Sequence, residues 1–575
     1  MNRVSLRFAL LALLVAALAA CNTLTPPPPA GFTVTGIEFK DVYGKATPQT
    51  ATYPVPSIRA TFSDPVDTAS LSGQTVTMAD AAGQPVPLDV NGSAFPNSAT
   101  AAPRTVLKNN ATYRITFSAG IKTQGGAALS PATYTFTVRA QPLPATQFVT
   151  SVLPGVPVAN PTALWFGADR RLYISQIDGT IKIATIATDS TSGAKSVTSV
   201  QTVITMKGRS ITGLTVRQKA SVAELWVSSA DPNYTAHSPT DAYGSKVTVL
   251  TGPNFAAAHD VVTGIPRSGE LHQIEGIAFG PDGRLYINVG GMTNYGAPSA
   301  NFGNRCEKLF SGAILVADVD TILGASGAGA IDVQPTAEPL DSLSECAEIR
   351  SRVGTYPIDQ ANYRIDQGVL TNALPVKAYA TGMRNPYDLI WTRAGKLYAT
   401  DNGGNPSFGL TPGPADGCPS GNPTDPGTSP DKLNLVLPGH FYGSPNPARY
   451  VAPGQSLTAR DECTLNGGPD YTAFVLNAGD NLSADGITEY TFPAGAGGLL
   501  PGDLLYVSFA AGKALYFYRP SSGEHGVVNQ PVGNALGVAV DPADGTIYVA
   551  EFGNNPTTPE KGNPVILYIQ AKPIP

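Results

Sequence analysis

One histidine, two arginines and three asparagines stand at equivalent places in the sequence, each just ahead of a short apolar strand pattern. The pairs are Ala159-Asn160, Arg209-Ser210, His272-Gln273, Arg384-Asn385, Leu482-Ser483 and Gly533-Asn534, and the first member of each lies seven residues before the end of its strand. An imidazole with a free pKa near 6.5 can accept a proton at neutral pH. A guanidinium can stabilise charge developing on an oxygen, and side-chain amides can hold a ligand by hydrogen bonds. Brought together, His272 and Arg384 could take a proton from a hydroxyl while stabilising a negative oxygen beside it. Without such convergence, His272 would be a loop histidine bonded to backbone and Arg384 a structural arginine tying neighbouring sheets together.

The elements that must position these residues form a repeat. A strand, a turn often carrying Asp-Gly and a second strand recur as Leu164-Trp165-Phe166 to Leu172-Tyr173-Ile174, Gly276-Ile277-Ala278-Phe279 to Leu285-Tyr286-Ile287, Asp388-Leu389-Ile390-Trp391 to Leu397-Tyr398-Ala399, and Gly537-Val538-Ala539-Val540 to Ile547-Tyr548-Val549. Weaker copies run from Gly213 to Val227 and from Gly486 to Val507. Six irregularly spaced copies predict a six-bladed β-propeller over residues 146–575, with long insertions between blades. In such a fold the first strand of each blade lines the central channel, so the paired residues would ring one mouth. The Asp-Gly steps are turn chemistry.

Ahead of the propeller, residues 31–139 alternate with period two in Thr33 to Phe39, Ile58 to Phe62, Tyr113 to Phe117 and Tyr134 to Val138. This pattern predicts a β-sandwich, so the fold class expected is all-β. No catalytic constellation falls within it, and a spacer role is expected, with binding as the alternative. Residues 141–144 read as a linker.

Residues 1–20 carry Arg3 and Arg7, an apolar stretch and small residues before Cys21, the layout of a lipoprotein signal peptide; residues 21–30 form a proline-rich linker. Export to a periplasm or cell surface, with a membrane anchor through lipidated Cys21, is therefore expected. Four cysteines remain, which allows three pairings; proximity favours Cys306 with Cys346 and Cys418 with Cys463. The chain has 37 Lys+Arg against 43 Asp+Glu and no basic run, which argues against nucleic acid as a partner.

The stretch from Leu271 through His272, Gln273, Ile274 and Glu275 to Tyr286 resembles the histidine segment of the soluble quinoprotein glucose/sorbosone dehydrogenases. Gly382-Met383-Arg384-Asn385-Pro386 resembles that family's Arg-Asn-Pro motif, and Asp431-Lys432-Leu433-Asn434 with Pro438 to Pro445 resembles the loop that follows it. The similarity covers roughly residues 150–570, in order. It implies that His272 is a general base toward a sugar or polyol hydroxyl, and that Arg384 polarises the oxygen of pyrroloquinoline quinone (PQQ). Asn385, Gln273, Arg209, Asn160 and Asn534 become candidates for holding cofactor or substrate. Asp401-Asn402-Gly403-Gly404 falls where the family's calcium takes backbone carbonyls, which makes Gly403 and Gly404 metal candidates.

The pattern also departs from that family. The lysine and the arginine pair that hold the tricarboxylate quinone are replaced by Ala510 and by Asn534-Ala535-Leu536, with Lys513 and Arg209 as possible substitutes. Two functions stay open on the sequence: a sugar or polyol dehydrogenase, and a propeller without cofactor that recognises carbohydrate or protein at the same mouth. A hydrolase has no motif behind it.

Overall fold

A computed structural model describes most of residues 31–573; residues 1–30, 40–49, 52–57, 139–145, 233–241, 334–357, 366–374, 448–462 and 554–563 and several shorter stretches are outside the described set. The lipoprotein signal, Cys21, the residue 141–144 linker and Cys346 fall outside it.

Two sheets make the N-terminal sandwich. One runs Val34–Phe39, Ile58–Phe62, Ser98–Pro103, Leu88–Gly92 in spatial order. The other is built around Ala132–Val138, Thr112–Phe117 and Val76–Asp80. Alternation decides what each strand buries: Ile58, Ala60 and Phe62 pack with Val76, Ile115, Phe117 and Phe136 in one core between the sheets.

The remainder is a six-bladed propeller of four-stranded antiparallel blades, the second of which carries a fifth strand, Ile331–Asp332, paired parallel to Ala257–Ile265. The inner strands are Pro161–Phe166, Ser210–Lys219, Ile274–Phe279, Pro386–Trp391, Ala484–Glu489 and Ala535–Val540, and successive ones pack against each other around a ring. The last blade is closed by the first propeller strand: Thr146–Val152 pairs antiparallel with Val565–Pro573, Val152 opposite Leu567. That pairing ties the two ends of the ring into one sheet and leaves no open seam between first and last blades.

The glycine of the repeat has a packing cause. A Cβ on Gly276 would lie 2.8 Å from Asp388 Cα, and one on Gly486 would lie 2.9 Å from Gly537 Cα. Inner strands therefore meet backbone to backbone, which only glycine permits. Each inner strand also shifts register at its start, at Pro161/Ala163, Ile211/Gly213, Ile274/Ile277, Pro386/Leu389, Ala484/Ile487 and Ala535/Gly537. These irregularities turn carbonyls toward the neighbouring blade. Thr162 Oγ1 donates to Ile211 O at 2.7 Å, Thr212 Oγ1 to Ile274 O at 2.6 Å and Thr400 Oγ1 to Asp485 O at 2.7 Å.

The Asp-Gly turns hold the second strands. Asp282 accepts from Arg284 N, Arg284 Nε and Tyr286 Oη, while Gly283 takes a φ of 76°. Asp169, followed by Arg170 at a φ of 61° in place of glycine, does the same for Arg171 and Tyr173. Cys418 and Cys463 are joined by a disulfide flanking the Pro430–Val436 strand. Cys306 is also disulfide-bonded, to a partner outside the described residues.

Candidate active site

His272 lies two residues ahead of the inner strand of blade 3 and is 2% exposed. Its backbone is fixed by Ser268, whose N–H and Oγ both donate to His272 O. Its Nδ1 is 2.8 Å from Gly291 O. A carbonyl can only accept, so Nδ1 carries the proton and Nε2 keeps a free lone pair. Burial holds the imidazole well below its usual pKa, and the Arg384 charge pushes it further the same way. At neutral pH His272 is thus an uncharged base.

Arg384 is set by Asp401 at the end of the second strand of blade 4. Asp401 Oδ1 accepts from the backbone N–H of Arg384 at 3.0 Å and of Asn385 at 2.9 Å. The guanidinium is aimed by Asn294, whose Oδ1 accepts from Nε at 2.9 Å, and by Asn402 O, 3.4 Å from Nη1. Asn294 is itself held by Asn405 on both amide atoms. Gly291 couples the two central residues, because its N–H donates to Arg384 O at 2.6 Å while its carbonyl receives the His272 proton. The Phe302 ring touches both, 4.7 Å from the His272 ring and 5.8 Å from the Arg384 guanidinium.

Asn385 and Gln273 are buried beside this pair, and Gln273 O accepts from Gly290 N at 2.8 Å. Gly403 N donates to Asp431 Oδ1 at 2.7 Å and Gly404 N to Ser429 Oγ. A side chain at Gly403 would strike the carbonyls of Ser429 and Pro430, and one at Gly404 would strike the Tyr295 ring. The structure therefore brings His272, Gln273, Arg384, Asn385, Gly403 and Gly404 into one neighbourhood. Arg209 is turned elsewhere: its Nη2 donates to Ser229 O at 2.7 Å and to Gly244 O at 2.8 Å. Asn160, at a φ of 53°, uses its Oδ1 to accept from Gly553 N, joining blade 1 to blade 6. Asn534 accepts from Phe552 N through its carbonyl. At the mouth of blades 5 and 6, Lys513 is the cation whose charge reaches Glu551, and Glu551 in turn accepts from Gly533 N.

The sequence reading missed what the insertion between Leu285–Val289 and Ala313–Ala317 supplies. Asn294, Phe302 and Glu307 all come from it, and Glu307 accepts from Met292 N and Thr293 Oγ1. Arg305 and Lys308, 1% and 0% exposed, add buried cations from the same insertion, and Arg267 adds a third from the loop that fixes His272.

Below the mouth the channel carries Glu275, Tyr387 and Asp485 from blades 3, 4 and 5. Burial pushes both carboxyls well above their usual range; the Asp485 charge raises Glu275 further, and Asp431 and Asp388 raise Asp485. Asp388 and Asp431 are pushed up to about 7 by the same cause.

Four linked, buried oxygens accept no hydrogen bond: Asn385 Oδ1, Asp401 Oδ2, Asn402 Oδ1 and Asp485 Oδ2. A buried acceptor left without a donor costs about 1–3 kcal/mol, so an oxygen-seeking cation such as calcium suits this donor set. Among the described residues no group of three or more His, Cys, Asp or Glu side chains is arranged to hold a metal, so carbonyl and amide oxygens would have to complete the shell.

Residues 43–138 match the bacterial Ig-like domain family. No curated protein matches the chain. Among solved structures the chain resembles the PQQ-bound aldose sugar dehydrogenase of Streptomyces coelicolor, at 18% identity over 75% of this chain and 100% of that one, with a TM-score of 0.44. It also resembles the PQQ domain of pyranose dehydrogenase from Coprinopsis cinerea, at 13% identity over 75% and 98%, with a TM-score of 0.44. A carbohydrate-active enzyme of Trichoderma reesei is similar at 13% identity over 75% and 98%, with a TM-score of 0.43.

Proposed function

We propose that this chain is an exported, lipid-anchored dehydrogenase of the quinoprotein type, acting on the CH–OH group of a sugar or polyol. The observation that carries the reading is the Gly291 bridge, which fixes His272 as a neutral base with Nε2 free and sets Arg384 beside it. His272 Nε2 takes the hydroxyl proton, and Arg384 offers N–H groups to the oxygen on which negative charge gathers. Bound PQQ would supply the carbon that accepts the hydride leaving the alcohol carbon, so the alcohol is oxidised to a carbonyl and the quinone is reduced. Asn385, Asn402 and the Gly403-Gly404 turn would hold a calcium ion beside the quinone, supplying positive charge there, and Phe302 keeps water from the base and the arginine.

A second reading, a non-catalytic propeller binding carbohydrate or protein at this mouth, is favoured by one observation. Ala510 and Asn534 to Leu536 offer no cation for a tricarboxylate, and Lys513, the cation described at that mouth, acts on Glu551. The test that separates the two is His272→Gln, which keeps an amide donor for Gly291 O and removes the base. Sugar-dependent dye reduction in the presence of PQQ and calcium should fall by at least about 10²-fold, the lower end of general-base effects, while the melting temperature stays near that of the parent. Equal turnover in parent and variant would remove His272 from the mechanism.

A further inference from the structure

The residue that follows the second strand holds the same place in blades 1, 3, 4, 5 and 6. Its backbone N–H donates to the carbonyl of the residue just ahead of the inner strand: Ile177 to Asn160 O at 3.1 Å, Gly290 to Gln273 O at 2.8 Å, Asn402 to Asn385 O at 3.0 Å, Phe509 to Ser483 O at 3.0 Å and Phe552 to Asn534 O at 2.8 Å. Gly290 and Asn402 lie at the site itself, since a Cβ on Gly290 would strike Asn385 Oδ1 and His272 Cβ, and Asn402 O accepts from Arg384. The equivalent positions put Phe509, Phe552 and Ile177 at the same mouth.

The mouth is thereby divided by polarity. Blades 3 and 4 present His272, Arg384, Asn385 and Asn402, whereas blades 5, 6 and 1 present two phenyl rings and an isoleucine. Successive inner strands pack in ring order, so blade 6 stands across from blade 3. Phe509 and Phe552 meet edge to face, with ring centroids 6.0 Å apart and planes at 67°. Both are half-buried, and the side chains that fill the cores of blades 5 and 6 do not include them. An aromatic pair left half wet at the rim of a polar site is apolar area open to a ligand. The charges beside it offset each other: burial raises the Glu551 carboxyl, while the Gly533 N–H and the Lys513 charge lower it. That side of the mouth suits an uncharged group.

We propose that the Phe509–Phe552 pair is a stacking subsite for an uncharged aromatic group carried by the alcohol substrate. The ligand is then a two-part molecule, with a hydroxyl-bearing part at His272 and Arg384 and a flat aryl part across the mouth, as in an aryl glycoside. The proposal rests on the reading that this mouth takes a sugar hydroxyl at His272, and it adds which kind of sugar derivative fits. An edge-to-face pair leaves one ring face and one ring edge open, and a third ring completes either contact with the offset or T-shaped geometry that aromatic quadrupoles prefer. An acyclic polyol has no group that uses this surface.

The test is calorimetric titration of the full chain with para-nitrophenyl β-glucoside and with methyl β-glucoside, two probes that share the sugar and differ in the aryl group. The nitrophenyl glycoside should bind at least about tenfold more tightly, the lower end of what apolar contacts discriminate. Phe552→Ala and Phe509→Ala should each remove most of that preference and leave the methyl glycoside unaffected. Phe552→Leu keeps an apolar side chain without the ring, so it should fold even where the alanine variant does not, and it should lose the preference as well. Equal affinity of the parent for the two probes overturns the proposal, as does binding of neither, or a preference that survives all three substitutions. His272→Gln should keep the preference while losing turnover. A preference that depends on the two phenylalanines, together with no PQQ binding, would therefore overturn the dehydrogenase reading and leave the aryl subsite standing.

Discussion

Replacing Gly290 by alanine should disturb the base and its neighbours at a single stroke. Gly290 follows the strand Leu285–Val289, and a Cβ there would lie 2.5 Å from Asn385 Oδ1, 2.7 Å from His272 Cβ and 3.2 Å from Gln273 N. Reaching the carbon–carbon optimum of about 3.5 Å would require His272 Cβ to retreat by about 0.8 Å. Neither neighbour can swing into solvent, because His272 is 2% and Asn385 5% exposed. Overpacking of this kind costs about 1–3 kcal/mol. A catalytic group displaced by close to 1 Å can lose on the order of 10²-fold in rate. Gly324, whose added Cβ would meet nothing within 4 Å, provides the matched control. The assay pairs urea unfolding with steady-state sugar oxidation. The expected result is a loss of about 1–3 kcal/mol and a fall in kcat/KM near 10²-fold for Gly290→Ala, with Gly324→Ala indistinguishable from the parent. Equal behaviour of the two variants would refute the packing around His272.

The buried carboxyls predict an unusual pH dependence. Asp388 and Asp431, raised from 3.8 to about 7, keep protons in the folded chain that the unfolded chain releases, so their share of stability is full below about pH 4 and is lost as pH rises to about 7. Asp388→Asn should remove about 1.4 kcal/mol per pH unit from that slope. Unfolding curves at pH 5 and pH 7 check it, and identical slopes in parent and variant would contradict it. The Cys418–Cys463 bridge closes a loop of 45 residues, for which chain entropy gives about 4 kcal/mol as an upper figure. The double alanine variant should lower the urea midpoint accordingly, and an unchanged midpoint would mean that the surrounding loops stay ordered without it.

What the sequence made legible was the part that repeats. All six inner strands and their hairpin partners were readable because a strand, a tight turn and a second strand recur in each blade, with glycine at the close approach in four of them, Gly213, Gly276, Gly486 and Gly537. The third and fourth strands were hidden, since insertions of varying length separate them, as between Val289 and Ala313 in blade 3. The closing strand Thr146–Val152 could not be read locally, because its partner lies at the other end of the chain. His272, Arg384 and Asn385 could be singled out from the sequence because they ride on the repeat. Asn294, Phe302 and Glu307 were not, because they sit in a single insertion with no period. Arg209 occupies an equivalent position, but its long side chain turns back to the carbonyls of Ser229 and Gly244, which position alone does not reveal.

The most direct measurement is titration of the chain lacking residues 1–21 with PQQ and calcium, followed by quinone absorbance and melting temperature. The account predicts saturable, calcium-dependent binding with a raised melting temperature, both weakened in Arg384→Met. No binding at high micromolar cofactor would contradict the quinoprotein reading and leave a recognition propeller in its place.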